Sequence, residues 1–246
     1  VHGFSTRFGG VSRGIYSSMN LSFTRGDEES CVKENYRRIS DAMGFDMNSI
    51  VTSDQTHTNN VRKITEKDRG KGIVIPRDYT DGMITNVPGL VLATFYADCV
   101  PLYFADPANH AIGLSHSGWR GTVQKIGAVT IEKMSEEYGS NPKDLKVAIG
   151  PSICQECYEV SEDVIEEFEK VFDKKYRNRL FYRKENGKYQ LNLWMANKII
   201  FLEAGIPEEN ISMPNLCTCC NPEFLFSHRA SHGKRGNLGA FLGIRS

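Results

Sequence analysis

The sequence is short of the features that would give an easy assignment. Thirty basic side chains are cancelled by thirty acidic ones, so no net field draws the chain to nucleic acid or to an anionic membrane. No apolar run approaches a membrane span. Nothing at the start has the pattern of a signal peptide, although the chain opens on Val1 rather than methionine. A glycine-rich phosphate loop of Walker or Rossmann spacing is missing. No histidine has glutamate two residues on, and Pro151 stands three residues before Cys154. Those two facts exclude the H-x-E and P-C-x-x-C pattern of the zinc nucleobase deaminases. The cysteines number seven, an odd count in a chain of ordinary size, which argues against a disulfide framework. A reducing, cytoplasmic setting with free or metal-bound thiols is expected instead. With no repeat, low-complexity tract or dividing linker, the 246 residues are expected to form one α+β domain spanning 1–246.

The most informative stretch present runs from Ala97 to Thr122, ADCVPLYFADPANHAIGLSHSGWRGT. Cys99 sits between Asp98 and Pro101 ahead of an apolar run. A turn through Asp106, Pro107 and Asn109 follows, then a second apolar run ending on His116. Gly118-Trp119-Arg120-Gly121 then opens a helix. The pattern reads strand, turn, strand, tight turn, helix. Cys99 and His116 would therefore lie at strand ends, beside a helix N-terminus with its unpaired N–H groups.

Elsewhere the opening residues read as a strand, a glycine turn at Gly9-Gly10 and another short strand. Val32, Tyr36, Ile39 and Met43 mark a helix ended by Gly44. The segment 50–64 reads as two short strands around a polar loop with Gln55 and His57. A turn-rich piece leads to Asp81, and a strand covers Leu90 to Tyr96. Val123, Ile126, Thr130, Met134 and Tyr138 mark one helix closed by Gly139. Ser161 is expected to cap another, and Leu191 to Ala204 to form a third. Lys174 to Arg183 reads as a solvated connector, and the tail as a cysteine cluster, a basic loop and a final strand.

His57, Cys99 and His116 could bind zinc as one thiolate and two imidazoles, leaving the fourth position for water. Zinc lowers the pKa of bound water to about 7. Spacing alone fits a buried structural cysteine and two hydrogen-bonded histidines at least as well. A third option is a thiol hydrolase, with Cys99 as nucleophile and His116 as base. Cys154, Cys157, Cys217, Cys219 and Cys220 form a second group. Because C-x-C-C is not a usual zinc knuckle and the separation is long, no second structural metal is expected there. Arg7, Arg37, Arg120 and Arg229 lie near turn or helix-end signals and could each bind an anion through a planar fork; a surface ion pair explains any single one equally well.

FSTRFGGVSRGIYSSMNLS, Gln55-x-His57, DGMITNVPGL, ADCVPLYFAD, HSGWRGT, GPSI with CYEV, and LCT followed by FLFSHR occur in that order. In this the chain resembles the laccase-domain family, also called YfiH-like or polyphenol oxidase-like and, more recently, purine nucleoside phosphorylases. The resemblance covers nearly the whole chain. It implies a layered α/β/β/α fold with mixed sheets, similar to that of a bacterial toxin deamidase with a Cys-His site. It also implies zinc-dependent phosphorolysis of adenosine, inosine, guanosine and methylthioadenosine, with adenosine deamination in the same pocket. The partners are then purine nucleosides and phosphate, and the protein is expected to be a monomer. His57, Cys99 and His116 carry over as ligands and catalytic residues. Arg7, Asn20, Ser22, Arg37, Asp98 and Arg120 are candidate substrate-binding residues. Tyr36 after Asn35, Thr58, Asn192 and Asn237 depart from residues common in the family.

The laccase label meets a chemical objection. Holding four coppers takes roughly ten histidines and a cysteine. This chain has six histidines and no H-x-H pair. Copper(II) could displace zinc from a Cys-His site and support phenol oxidation as a side activity.

Overall fold

The computed structural model describes residues 1–70 and 79–245; part of the turn-rich piece before Asp81 lies outside them. In chain order the first half holds β1 (His2–Phe4), α1 (Glu29–Met43), β2 (Ile50–Thr52), β3 (Val61–Lys63), β4 (Gly82–Thr85), β5 (Val91–Tyr96), β6 (Val100–Asp106), β7 (Ala111–Ser117), α2 (Trp119–Val123) and α3 (Ile126–Tyr138). The second half adds β8 (Lys146–Ile149), β9 (Glu159–Val160), α4 (Glu162–Val171), α5 (Arg177–Leu180), β10 (Phe181–Arg183), β11 (Tyr189–Leu191), α6 (Leu193–Glu203), β12 (Ile211–Ser212) and β13 (Leu238–Gly243). They form a six-stranded sheet in the order β12-β8-β6-β7-β4-β3, a four-stranded sheet β1-β13-β5-β2, and a small sheet β10-β11-β9. Both larger sheets are mixed: β2 runs parallel to β5, β3 to β4 and β12 to β8, and the other pairs are antiparallel.

The layering follows from alternation along β5, whose six residues are all buried. Val91, Ala93 and Phe95 pack with Val32 and Tyr36 of α1. Leu92 and Tyr96 face the other way and join Met83, Ile112 and Leu114 between the two sheets. Successive side chains of a strand point to opposite faces, so a strand buried on both reads as a continuous apolar run. The outer face of the six-stranded sheet carries Ile84, Val100, Leu102 and Phe104, which meet Ile126, Ile131 and Met134 of α3 and Ile199, Ile200 and Phe201 of α6. Phe104 and Phe201 pack edge to face with centroids 5.5 Å apart. The order is therefore helix, sheet, sheet, helix, as expected.

Several local expectations change. No strand follows β1 in the glycine-rich opening. That segment is tied by Ser12 and Ser18 to neighbouring loop backbone and by Val11 to Asn35, rather than by a ladder. The helix expected around Val123–Tyr138 is two, α2 and α3, because Lys125 takes a left-handed φ of 54° and breaks the run. Ser161 stands at the start of α4, but its hydroxyl bonds the Asp163 carboxylate rather than a backbone N–H. The helix expected from Leu191 begins at Leu193, where the Asn192 side chain accepts from Met195 N–H. Part of the basic connector is ordered as α5 and β10. Among the described residues, no helix is long and apolar enough to cross a membrane.

Candidate metal centre

Strand parity brings the thiol and one imidazole together. In β7, Ser115 faces α3, where its hydroxyl lies 2.8 Å from that of Thr130. His116, one residue on, therefore faces the space between the sheets, with Tyr96 at 5.4 Å between ring centroids. Pro101 pairs with His116 and Val100 with Ser117, so Cys99, just before β6, comes level with the end of β7. Cys99 and Tyr103 share the inter-sheet side with His116. Both strand-end placements agree with the sequence reading.

His57 reaches the same point from a loop. After β2 ends at Thr52, the Gln55 amide takes over the edge of β5. It donates to Phe95 C=O at 2.8 Å and accepts from Phe95 N–H at 2.7 Å. Beyond it, the carboxylate of Asp81 accepts backbone N–H bonds from Thr56, His57 and Thr58 at 3.2, 3.1 and 2.7 Å. This holds His57 at a φ of 64°, a left-handed conformation that costs a non-glycine residue free energy. The imidazoles of His57 and His116 then meet at 4.9 Å between centroids. One ligand atom each from His57, Cys99 and His116 lies within 4.8 Å of the others.

The donor set fits a transition metal. Asp81 also accepts from His116 Nδ1 at 2.8 Å. In the neutral ring this fixes the tautomer and leaves the Nε2 lone pair free, the arrangement of a carboxylate-supported metal histidine. Gly118 makes the space. A Cβ there would stand 2.7 Å from His57 Nδ1 and 3.2 Å from Cys99 Sγ. Its φ of −76° is open to any residue, so it is room rather than backbone freedom that calls for glycine.

Electrostatics follow the same contacts. Burial alone would lower the His116 pKa, but charge on the Cys99 sulfur and the Asp81 carboxylate raise it to about 9. His57 is lowered, by desolvation of its ring first and then by the positive charges of His116 and Arg120. Burial opposes ionisation of Asp81, yet its bonds to His116 and Thr58 bring it below the ordinary carboxylate value.

The remaining sequence candidates scatter. Ser22 lines the cavity of about 560 Å³ in front of the cluster. Asn20 sits behind that wall, accepting from Ser22 N–H at 3.0 Å and Asn237 N–H at 2.9 Å. Arg120 stacks on Trp119 at 4.3 Å, close enough for its charge to act on His57. Asp98, at a φ of 88°, accepts from Thr218 Oγ1 and Arg229 N–H, both at 2.7 Å; it braces the turn that presents Cys99. Arg7 lies outside the cavity lining, with its guanidinium donating to the carbonyls of Ser17 and Pro222. Arg37 lies further off, on the solvent side of α1, paired with Glu34 and Asp41. Neither arginine is placed to hold an anion in this cavity. The anticipated helix N-terminus is that of the five-residue α2, too short to carry much dipole.

Sequence reasoning missed three residues. Asp81 opens the DGM motif, and an acid immediately before a buried strand was the available signal. Arg25 and Arg235 both line the cavity. Arg235 is 8 % exposed and its Nε has no hydrogen-bond partner among the described residues. Burial, then the charge of Arg25, lowers its pKa to about 10.

A layered mixed α/β protein with a Cys-His cluster open to a cavity, a candidate metal site, is the class that fold and site define together. Residues 1–245 match the family described as multi-copper polyphenol oxidoreductase laccase, and the chain belongs to that family. It is 38% identical over its whole length to the Bacillus subtilis protein named purine nucleoside phosphorylase YlmD, covering 88% of that relative. It is 33% identical, over 93% of its length and 88% of the relative, to adenosine deaminase RL5 from an unknown prokaryotic organism. Of solved structures, the Bacillus licheniformis hypothetical protein YfiH superposes with a TM-score of 0.94 at 35% identity, over 99% of this chain and 92% of that one. YlmD from Geobacillus stearothermophilus gives 0.94 at 34%, covering 100% and 92%.

Proposed function

We propose that the chain is a zinc-dependent purine nucleoside phosphorylase acting on adenosine, inosine, guanosine and methylthioadenosine, with adenosine deamination in the same cavity. A cytoplasmic, monomeric setting belongs to the same reading. The observation that carries it is the union, in one cavity, of the Cys99–His57–His116 cluster with Arg25 and Arg235. Arg25 stands close enough for its charge to lower the Arg235 pKa, and two guanidiniums so placed call for an anion, with phosphate satisfying both forks. The names of the relatives supply the other substrate class.

Zinc held by His57, Cys99 and His116 would supply Lewis-acid chemistry there. The chain's own residues do the rest. Arg25 and Arg235 bind and orient phosphate, which forms a bond to C1′ as the bond from C1′ to N9 of the base breaks. That transition state carries positive charge on the sugar, as in glycoside cleavage, and the bound dianion offsets it. Phe95 and Ala97 give the cavity apolar wall. Asp81 keeps His116 in one tautomer. Copper fits the same donors, with phenol oxidation as a side activity. Only two of the six histidines join the cluster, so a four-copper centre has no ligands among the described residues.

One observation favours a second reading. Asp81 bonds Nδ1 of His116 at 2.8 Å, and the Cys99 sulfur lies within 4.8 Å of a nitrogen of that imidazole, a grouping of acid, base and thiol that a thiol hydrolase would use. Zinc-loaded protein should release free base from adenosine or inosine only when phosphate is present. His116→Ala should abolish release, and Arg235→Gln should raise the KM for phosphate at least tenfold. Amide hydrolysis with Cys99 trapped covalently, and no nucleoside cleaved, would put the hydrolase in its place.

A further inference from the structure

The five cysteines that the C-x-C-C pattern set aside are not scattered. Sulfurs of Cys154, Cys157, Cys217 and Cys220 all lie within 4.8 Å of one another. Cys157 and Cys220 are 3.4 Å apart, and Cys154 and Cys220 3.8 Å. Taken in fours, the sequence holds two C-x-x-C half-sites, Cys154-Gln155-Glu156-Cys157 and Cys217-Thr218-Cys219-Cys220, with Cys219 as the odd residue. Reading the tail as C-x-C-C hid the second one.

Backbone geometry holds the half-sites together. Ser152 and Cys217 form an isolated parallel bridge. Ser152 N–H donates to Leu216 C=O, and Thr218 N–H to Ser152 C=O, both at 3.1 Å. The sulfur of Cys217 accepts N–H bonds from Cys154 at 3.2 Å and Cys220 at 3.4 Å. Backbone N–H groups directed at sulfur in this way support a coordinating thiolate, as outer-shell donors do at metal sites generally. Four thiols within 4.8 Å of one another are otherwise hard to account for. A disulfide would use two of them, and its sulfurs would stand about 2.0 Å apart.

We infer that Cys154, Cys157, Cys217 and Cys220 form a second metal site, a closed tetrathiolate that takes zinc(II) in a structural role. Four sulfur ligands leave no open position for substrate, unlike the Cys-His cluster. The site lies directly behind the turn that presents Cys99. Asp98 C=O accepts from Ile153 N–H at 2.9 Å, and the Asp98 carboxylate accepts from Thr218 Oγ1 at 2.7 Å. One bond comes from Ile153, the residue just before the first half-site, and the other from Thr218, inside the second. The metal therefore clasps the two segments on which the strained Asp98 turn rests. This inference stands apart from the nucleoside reading and concerns different ligands.

The test is metal analysis of the full chain purified from zinc-supplemented medium. Wild type should hold two zinc equivalents, Cys99→Ser one, and Cys219→Ser two. Cobalt(II) loaded into Cys99→Ser should show the intense sulfur-to-metal charge-transfer absorption of a tetrathiolate, which needs no folding-sensitive variant of the site itself. Cys220→Ser, the most exposed of the four, should lose that band and one equivalent. If Cys99→Ser holds no metal and gives no such band, or if mass spectrometry finds any two of the four joined as a disulfide in protein prepared under reducing conditions, the inference is wrong. Loss of nucleoside cleavage with both metals retained would count against the proposed function and leave this site standing.

Discussion

The carboxylate of Asp81 lies 2.8 Å from Nδ1 of His116 and is itself fully buried, so one acid orients a histidine and a loop at once. It accepts three backbone N–H bonds and the Thr58 hydroxyl besides. Asp81→Asn would turn one oxygen into a donor facing donors. Zinc affinity should fall about 10- to 100-fold, the usual effect of losing an outer-shell carboxylate. Competition with a chromophoric chelator measures this, and unchanged affinity would show that Asp81 does not support the ligands.

Gly118→Ala should lose metal without losing the fold. Its backbone angles suit alanine, but the methyl would press on His57 Nδ1 and Cys99 Sγ. Elemental analysis should show the Cys-His site largely empty while the melting temperature of the metal-free protein moves by only a few degrees.

The metal-free protein should lose stability toward alkaline pH. The folded pKa of His116 is raised to about 9, above its ordinary value of 6.5. A raised histidine contributes stability fully below its unfolded pKa, and that contribution is lost as pH rises through the folded one. Thermal melts of chelator-treated protein should therefore fall between about pH 6.5 and 9. Asp81, lowered when folded, gives the opposite limb, present above its ordinary value and lost on acidification. Zinc loading should flatten the alkaline limb, because a coordinated imidazole has no proton left to lose.

Asn35→Ala should damage both stability and the cavity wall. Its side chain, fully buried in α1, donates to Ser12 Oγ at 2.9 Å and Asn20 C=O at 2.8 Å, and accepts from Val11 N–H at 2.8 Å. Leaving those partners unmet costs about 2–3 kcal/mol. Because Asn20 in turn holds Ser22, nucleoside KM should rise as well; urea melts and steady-state kinetics read the two effects.

What could be read from the sequence was what depends on neighbours in the chain. Alternation in 97–117 placed Cys99 and His116 at adjacent strand ends, and the left-handed Gly44 ended α1 where the pattern stopped. Arg25 and Arg235 could not be found that way, since one precedes α1 and the other β13, and the two segments meet through bonds between Asn237 and residues 20 and 21, far apart in the chain. Asp81 divides its carboxylate between the His116 imidazole and the backbone N–H groups of a loop more than twenty residues earlier, partners that only the folded chain brings to it. The α2–α3 break turned on one lysine taking a positive φ, a choice that apolar spacing at Val123 and Ile126 does not register. Arg7 and Arg37 looked available because a helix or turn context says nothing about the carbonyls and acids that occupy them.

The hairpin joining β6 to β7 turns through Asp106, whose carboxylate accepts from Ala108 N–H at 3.0 Å and Asn109 N–H at 3.1 Å, far along the strands from the ligands. Yet it sets the phase of the centre. A strand has a repeat of two, so a single residue added or removed at this turn, with the ladder re-formed, would rotate β7 by half a period. His116 would then point into the helix layer, and a serine would stand between the sheets beside Cys99. Two residues would restore the face but carry His116 about 7 Å along the strand, away from Cys99, so the metal chemistry depends on the register set at a surface loop that never touches it.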